Sequence, residues 1–342
     1  MNLERTVSGL LLTMAIVVIL IYGQNLLIPF VFALLVWFLV SKVRSLLDKS
    51  AFFKNRVPMW VKSLLTSVVI FTILGFVATV LTSSINSLAK SYQQYEDNVK
   101  IMTHDINRVL DIDVSTLLSD FMADFDFGGI LESIFSSLSG LVGNAFMILV
   151  YMLFVFLEAT SFSTKIRAVC DSDEQYERVT EMLGRIEASI THYIGLKTLV
   201  SVITGVLSYV VLLIIGVDSP VFWAFLIFLL NFIPTVGSLV GTLFPAFFSL
   251  LQFGSFQPFF LVLIFVGAIQ VLVGNVLEPK LMGNSLNISA LVTLLALSFW
   301  GAIWGITGMF LSVPITVIMV IVFAQFPSTR PIAIMLSEKG KV

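Results

Sequence analysis

Several runs in this chain approach or exceed the roughly 18 consecutive apolar residues that mark a membrane span. They dictate the fold before any motif is considered. No water is present in the hydrocarbon to satisfy backbone N–H and C=O groups, so each run must close its hydrogen bonds internally, as a helix. The composition agrees: 58% of residues are hydrophobic and 12% charged, with a mean hydropathy of +1.03, against about 25% charged in a typical soluble domain. The expected fold is an all-α integral membrane protein, a polytopic bundle of about eight membrane segments.

Composition also closes several function classes. The single Cys170 excludes an internal disulfide. There is no His-Glu-x-x-His zinc site, no Gly-x-Ser-x-Gly elbow and no phosphate loop. An enzyme is therefore not expected, and neither is a catalytic residue, a metal or a cofactor. Net charge is −2, with no basic tract of the kind that binds nucleic acid.

In chain order, residues 7–22 and 25–40 read as two spans joined by a turn at Gly23–Asn25. No small-residue cleavage site follows the first span, so it is expected to be retained. The loop at 41–62 carries Lys42, Arg44, Lys49, Lys54, Arg56 and Lys62 against Asp48. That excess places the loop and the N-terminus in the cytoplasm. Residues 63–84 cross outward, completing N-terminal membrane helices over 1–84. Residues 85–140 form an acidic external insertion. Its stripe Ile85, Leu88, Tyr92, Tyr95, Val99, Met102, Ile106 and Val109 has heptad spacing, suited to a subunit contact or to packing on its own neighbour. A membrane helix covers 141–163, with Glu158 ending the span at the inner surface. Residues 164–196 read as a cytoplasmic amphipathic helix with Glu174/Arg178 and Glu181/Arg185 pairs. Lys197 then opens the C-terminal membrane region, 197–326, beginning with a small, polar stripe of Ser201, Thr204, Gly205 and Ser208. The tail, 327–342, is expected to be cytoplasmic.

The C-terminal region contains two apolar stretches of awkward length. Val221 to Leu251 spans 31 residues, too long for one crossing and too short for two with a loop, at 1.5 Å per residue and a core of about 30 Å. In its middle stands Asn231-Phe232-Ile233-Pro234-Thr235-Val236-Gly237, followed by Gly241 and Pro245. A helical hairpin with its tip at Pro234–Gly237 accounts for the length. Irregular backbone at that depth is tolerated where protein or water covers it, and transporters place binding sites at such broken helices. Asn275 to Gly283 reads as a second polar break. Residues 288–326 repeat the length problem, and a second proline-broken hairpin is expected there, with its tip near Pro314. Each hairpin is either re-entrant or a pair of full spans. Their shared length suggests an inverted repeat.

Three blocks carry a resemblance: Asn231 to Gly237; Gly274-Asn275-Val276-Leu277-Glu278-Pro279-Lys280-Leu281-Met282-Gly283; and Phe299-Trp300-Gly301 through Gly305, Gly308, Met309 and Ser312-Val313-Pro314. In order and spacing they resemble the autoinducer-2 exporter family. Thr191-His192-Tyr193 with Leu196-Lys197-Thr198, and Leu336-Ser337, look like its TqsA-like branch. The chain departs at Asn287-Ile288-Ser289, where many members carry a His-Pro pair. The resemblance implies a multi-pass protein of the bacterial inner membrane that exports a small polar metabolite, with autoinducer-2 the best-known case. It also implies a homo-oligomer, a pentamer in the family. Some relatives are assigned sodium/proton antiport instead.

An uncharged polar solute is best held by amides, hydroxyls and free backbone groups. The candidate binding or gating residues are therefore Asn231, Pro234, Thr235, Gly237, Gln270, Asn275, Glu278 and Pro314. The amides would equally serve as helix caps or interhelical glue, and Glu278 could pair with Lys280 at the surface. Gly241, Pro245, Gly301, Gly305 and Gly308 are expected as hinge or packing positions. The expected function is secondary or facilitative export by alternating access, with a small polar solute, a coupling ion and the lipid bilayer as partners. The alternatives are a sodium or lithium/proton antiporter using Glu278 or Glu158, and a non-transporting membrane scaffold or sensor.

Overall fold

The computed structural model describes residues 3–47, 143–282 and 287–340, together with Val61, Val68, Thr72, Gly75, Thr79, Ser83, Ser84 and Asn98. Apart from these single positions, the basic loop beyond Leu47, the span at 63–84 and the acidic insertion lie outside the described residues. The described elements are helices: α1 Leu3–Tyr22, α2 Gln24–Leu47, α3 Ala145–Val169, α4 Asp173–Ile215, α5 Pro220–Leu230, α6 Val236–Phe253, α7 Phe256–Leu272, a π-helical turn Val273–Leu277, α8 Glu278–Met282, α9 Ala290–Gln325 and α10 Arg330–Leu336. Among the described residues, five helices are long and apolar enough to cross a membrane, or six if the bent α3 counts as one span.

The chain divides into two compact units. One comprises Met1–Ser67, Ser137–Gly195 and Asn284–Val342; the other comprises Val68–Ser136 and Leu196–Gly283. In the first, α2 packs on α3, with Phe30 and Tyr151 edge to face at 5.8 Å. α3 does not stop at Glu158. It continues to Val169 with a 64° bend between Ala159 and Ser161.

In the second unit, α5 and α6 form the expected hairpin, and α7 packs along α6. The open end of the hairpin is pinned by Gln252, which donates to the Gly216 carbonyl at 2.9 Å and accepts from the Asp218 N–H at 2.7 Å. Asn98, the described residue of the insertion, donates to the carbonyls of Leu251 and Gln252 at 3.3 and 2.5 Å.

Three expectations are corrected. First, the amphipathic helix and the span after it are one helix: α4 runs for 43 residues through Lys197, about 64 Å at 1.5 Å per residue. The change from polar to apolar surface alters the surroundings of a helix and not its backbone hydrogen bonding, so it marks no boundary. Second, Asn275 to Met282 is not a break. The helix continues through it as the π-helical turn and α8.

Third, the second hairpin does not turn at Pro314. Trp304 (φ −123°, ψ 15°) and Gly305 (φ 60°, ψ −142°) leave helical geometry, and there the chain doubles back. A methyl group built on Gly308 would lie 1.9 Å from the Trp300 carbonyl oxygen, and one on Gly301 would lie 3.0 Å from Met309 Cγ. Residues eight apart in a straight helix are separated by about 12 Å, so the two legs, 290–303 and 306–325, lie side by side. A proline removes one hydrogen bond and bends a helix. The backbone angles at Gly305 belong to a region that glycine alone enters freely, and that is what permits the reversal. Pro314 lies buried within the second leg.

Candidate functional site

Among the described residues of the second unit, buried polar side chains lie on α4, on the first hairpin and on α7. The helix tightens as α5 ends: the N–H groups of Phe232 and Ile233 reach back three residues, to Leu229 at 3.1 Å and Leu230 at 2.8 Å. Pro234 then excludes further helix, and the chain reverses at Thr235 (φ 60°, ψ −57°), where the Val236 N–H bonds the Pro234 carbonyl at 2.6 Å. This is the φ-positive γ-turn, rare and strained. A β-branched residue there stores on the order of 1–3 kcal/mol. Two residues on, a methyl group at Gly237 would lie 1.7 Å from the Leu230 carbonyl oxygen. The helix leaving the tip thus presses directly on the one entering it, and the position accepts only glycine.

Asn231, 7% exposed, closes α5 and donates from Nδ2 to Ser201 Oγ at 3.0 Å. Ser201 belongs to a file of side chains on one face of α4: Lys197, Ser201, Thr204 and Ser208, all buried and spaced to fall along one stripe. Thr204 satisfies its hydroxyl on the Val200 carbonyl, and Ser208 Oγ has no partner among the described residues. Lys197 Nζ meets Glu278 Oε1 at 2.5 Å, with side-chain exposures of 5% and 23%. Glu278 therefore pairs with a lysine on another helix, rather than with Lys280. Breaking such a pair from one side typically costs about 3–5 kcal/mol, because the remaining charge stays buried.

The π-helical turn takes part in this geometry. It adds one residue to a helical turn, which rotates everything after it by about 100° relative to a regular helix. Gln270 and Glu278, eight residues apart, would otherwise point about 80° from each other. The extra residue brings them towards one face.

Gln270, 6% exposed, has no partner for Nε2 among the described residues. That nitrogen lies 3.2 Å from where a Gly241 Cβ would be, and Pro245, four residues on, has no N–H to give the Gly241 carbonyl. A free amide donor and a released carbonyl thus lie on adjoining helices, α7 and α6. Thr235 and Asn275 are exposed, and Pro234 is half-buried.

The structure therefore brings Asn231, Pro234, Thr235 and Gly237 together at the tip, and Gln270 with Gly241 and Pro245 between α6 and α7. Lys197 and Ser201 are the residues that sequence reasoning did not select, although Ser201 stands on the stripe it noted and Lys197 opens the span one turn before it. Their partners are 81 and 30 residues away in sequence. Glu158 stands apart in the first unit, exposed and paired with Lys165. Gly301, Gly305, Gly308 and Pro314 belong to the second hairpin.

A multi-pass α-helical membrane protein with a broken hairpin whose tip carries a buried amide bonded to a neighbouring helix has features found in membrane transporters. The sequence profile described as "AI-2E family transporter" matches residues 10–328. A putative transport protein of Haemophilus influenzae is 30% identical over 99% of this chain and 97% of its own length. The AI-2 transport protein TqsA of Escherichia coli is 30% identical over 94% of this chain and 92% of its own. A putative transport protein of Escherichia coli, YhhT, is 32% identical over 54% of this chain and 52% of its own. The chain belongs to the AI-2E transporter family.

Proposed function

We propose that this protein exports a small polar solute of the autoinducer-2 class across the bacterial inner membrane, by alternating access at the first hairpin tip. The observation that carries the reading is the buried Asn231–Ser201 hydrogen bond beside the Lys197–Glu278 pair on one face of α4. A solute with several hydroxyls can exchange for the Asn231–Ser201 bond group by group, so neither partner is left bare in the apolar surroundings. The strained γ-turn at Thr235 is the point at which the tip would change conformation. The protein would act as a homo-oligomer with both termini cytoplasmic.

The test is flux of small polar solutes, autoinducer-2 included, through purified protein in liposomes. Asn231→Ala and Ser201→Ala should each slow flux at least tenfold while the protein remains folded. Normal flux in both would remove the tip from the pathway.

The buried Lys197–Glu278 pair supports a second reading, cation/proton antiport. A cation could take the place of Lys197 on the Glu278 carboxylate. On that reading an imposed pH gradient drives sodium or lithium exchange without any organic solute, and a Lys197→Met/Glu278→Leu double variant abolishes it. Solute flux that persists when neither gradient is imposed separates the two.

A further inference from the structure

The first unit holds a cavity that the transport reading does not use. Side chains of α2, α3 and residues 176–187 of α4 line an open cavity of about 800 Å3, within the range of drug-sized ligand sites. Its wall is rich in aromatic rings, with Trp37, Tyr151, Phe154, Phe162 and Tyr176 among them. Rings are held by their neighbours: Phe30 against Tyr151 at 5.8 Å and Trp37 against Phe38 at 5.0 Å.

The charge of the wall is one-sided. Among the described residues that line it are Glu158 and Glu187 and no lysine or arginine. Glu158 is already engaged by Lys165, and Arg167 stands over the Tyr176 ring at 5.1 Å. Glu187 has no hydrogen bond or ion pair among the described residues, so its carboxylate is the charge left for an occupant. Aromatic faces carry negative potential and attract cations, most strongly when water is excluded. Glu187 is itself exposed, and a carboxylate beside such faces favours a positive charge on a hydrophobic body.

We propose that this cavity binds an organic cation with a bulky hydrophobic body. Such a ligand is chemically unlike the small polar solute of the hairpin tip, and the inference does not rest on that assignment.

Tetraphenylphosphonium and tetraphenylborate have nearly the same size and shape and opposite charge. They are offered to the purified full-length protein in neutral detergent, and binding is read by equilibrium dialysis. The expected result is saturable binding of tetraphenylphosphonium and none of tetraphenylborate. Glu187→Gln should weaken the phosphonium at least tenfold, and Glu187→Lys should transfer preference to the borate. Equal binding of the two ions would overturn the proposal, since it would show partition into an apolar volume. Unchanged phosphonium binding in both Glu187 variants would also overturn it, as would a copurifying phospholipid that the phosphonium fails to displace.

Discussion

The two hairpins are built on one plan and finished differently. In each, a shorter first leg meets a longer second leg, and a glycine just past the tip lets a backbone carbonyl come within what would be bonding distance of a side chain: Gly237 at Leu230 and Gly308 at Trp300. The tips differ. The second turns on Gly305, which enters its φ-positive conformation freely, and is packed with indole rings. Trp300 and Trp304 lie 5.4 Å apart, in a cluster with Leu311 and side chains of α1 and α2, and the Trp304 N–H is spent on the Leu20 carbonyl at 2.9 Å. The hydroxyls of its second leg close on their own helix, Ser312 on Met309 and Thr316 on Ser312. The first tip turns on a threonine held under strain, and its amide reaches across to another helix. On the proposed function, the strained threonine near a buried polar file marks the first tip as the one that would move, and the tryptophan-packed second tip as the one that would hold.

The shared plan is broken most directly at its glycines. Gly237→Ala and Gly308→Ala should each cost about 4 kcal/mol or more, the range reserved for severe steric or polar faults, and should abolish monodisperse protein in detergent. Tolerance of either would mean that the hairpins are not equivalent in construction.

The next effect belongs to the first hairpin's surroundings alone. Glu278→Gln should destabilise by about 3–5 kcal/mol through the bared Lys197, read as a fall in the thermal midpoint. Adding Lys197→Met should restore most of that stability. If solute flux also returns in the double variant, the pair is structural and the contrast between the tips narrows.

Smaller in energy and sharper in meaning is a paired comparison of the tips. Trp304→Phe removes the bond to Leu20 and should cost about 1–3 kcal/mol with flux unchanged. Asn231→Ala should cost about the same, since it too loses one buried hydrogen bond, yet lower flux at least tenfold. Equal effects on flux would erase the distinction. The smallest effect is expected at the turn itself. Thr235→Gly should raise stability by about 1 kcal/mol by relieving the γ-turn and should change the rate of flux rather than the solute taken. A loss of stability would show that the threonine is not strained.

Much of this was legible in the chain. The apolar runs forced helices, and the first hairpin was visible because Pro234 and Gly237 punctuate a stretch of impossible length. The second tip was misplaced because proline is the stronger sequence signal, while Gly305 stood among several glycines on one stripe and only its backbone angles set it apart. The passage from charged to apolar residues at Lys197 resembled the start of a span, but α4 runs through it, and the lysine is buried against Glu278, a residue the sequence offered as a candidate but, 81 positions away, not as its partner. The insertion's Asn98 shows the same limit. Its bonds to Leu251 and Gln252 join segments far apart in sequence, and no short-range rule predicts such a pairing.

The π-helical turn Val273–Leu277 has a consequence for how this segment can change over time. It contains one residue more than its length of helix requires, and that surplus helps aim Glu278. A substitution within it alters one side chain, whereas losing a single codon would return the turn to regular pitch and swing the carboxylate by about 100°. Between Gln270 and Glu278, the number of residues matters more than their kind.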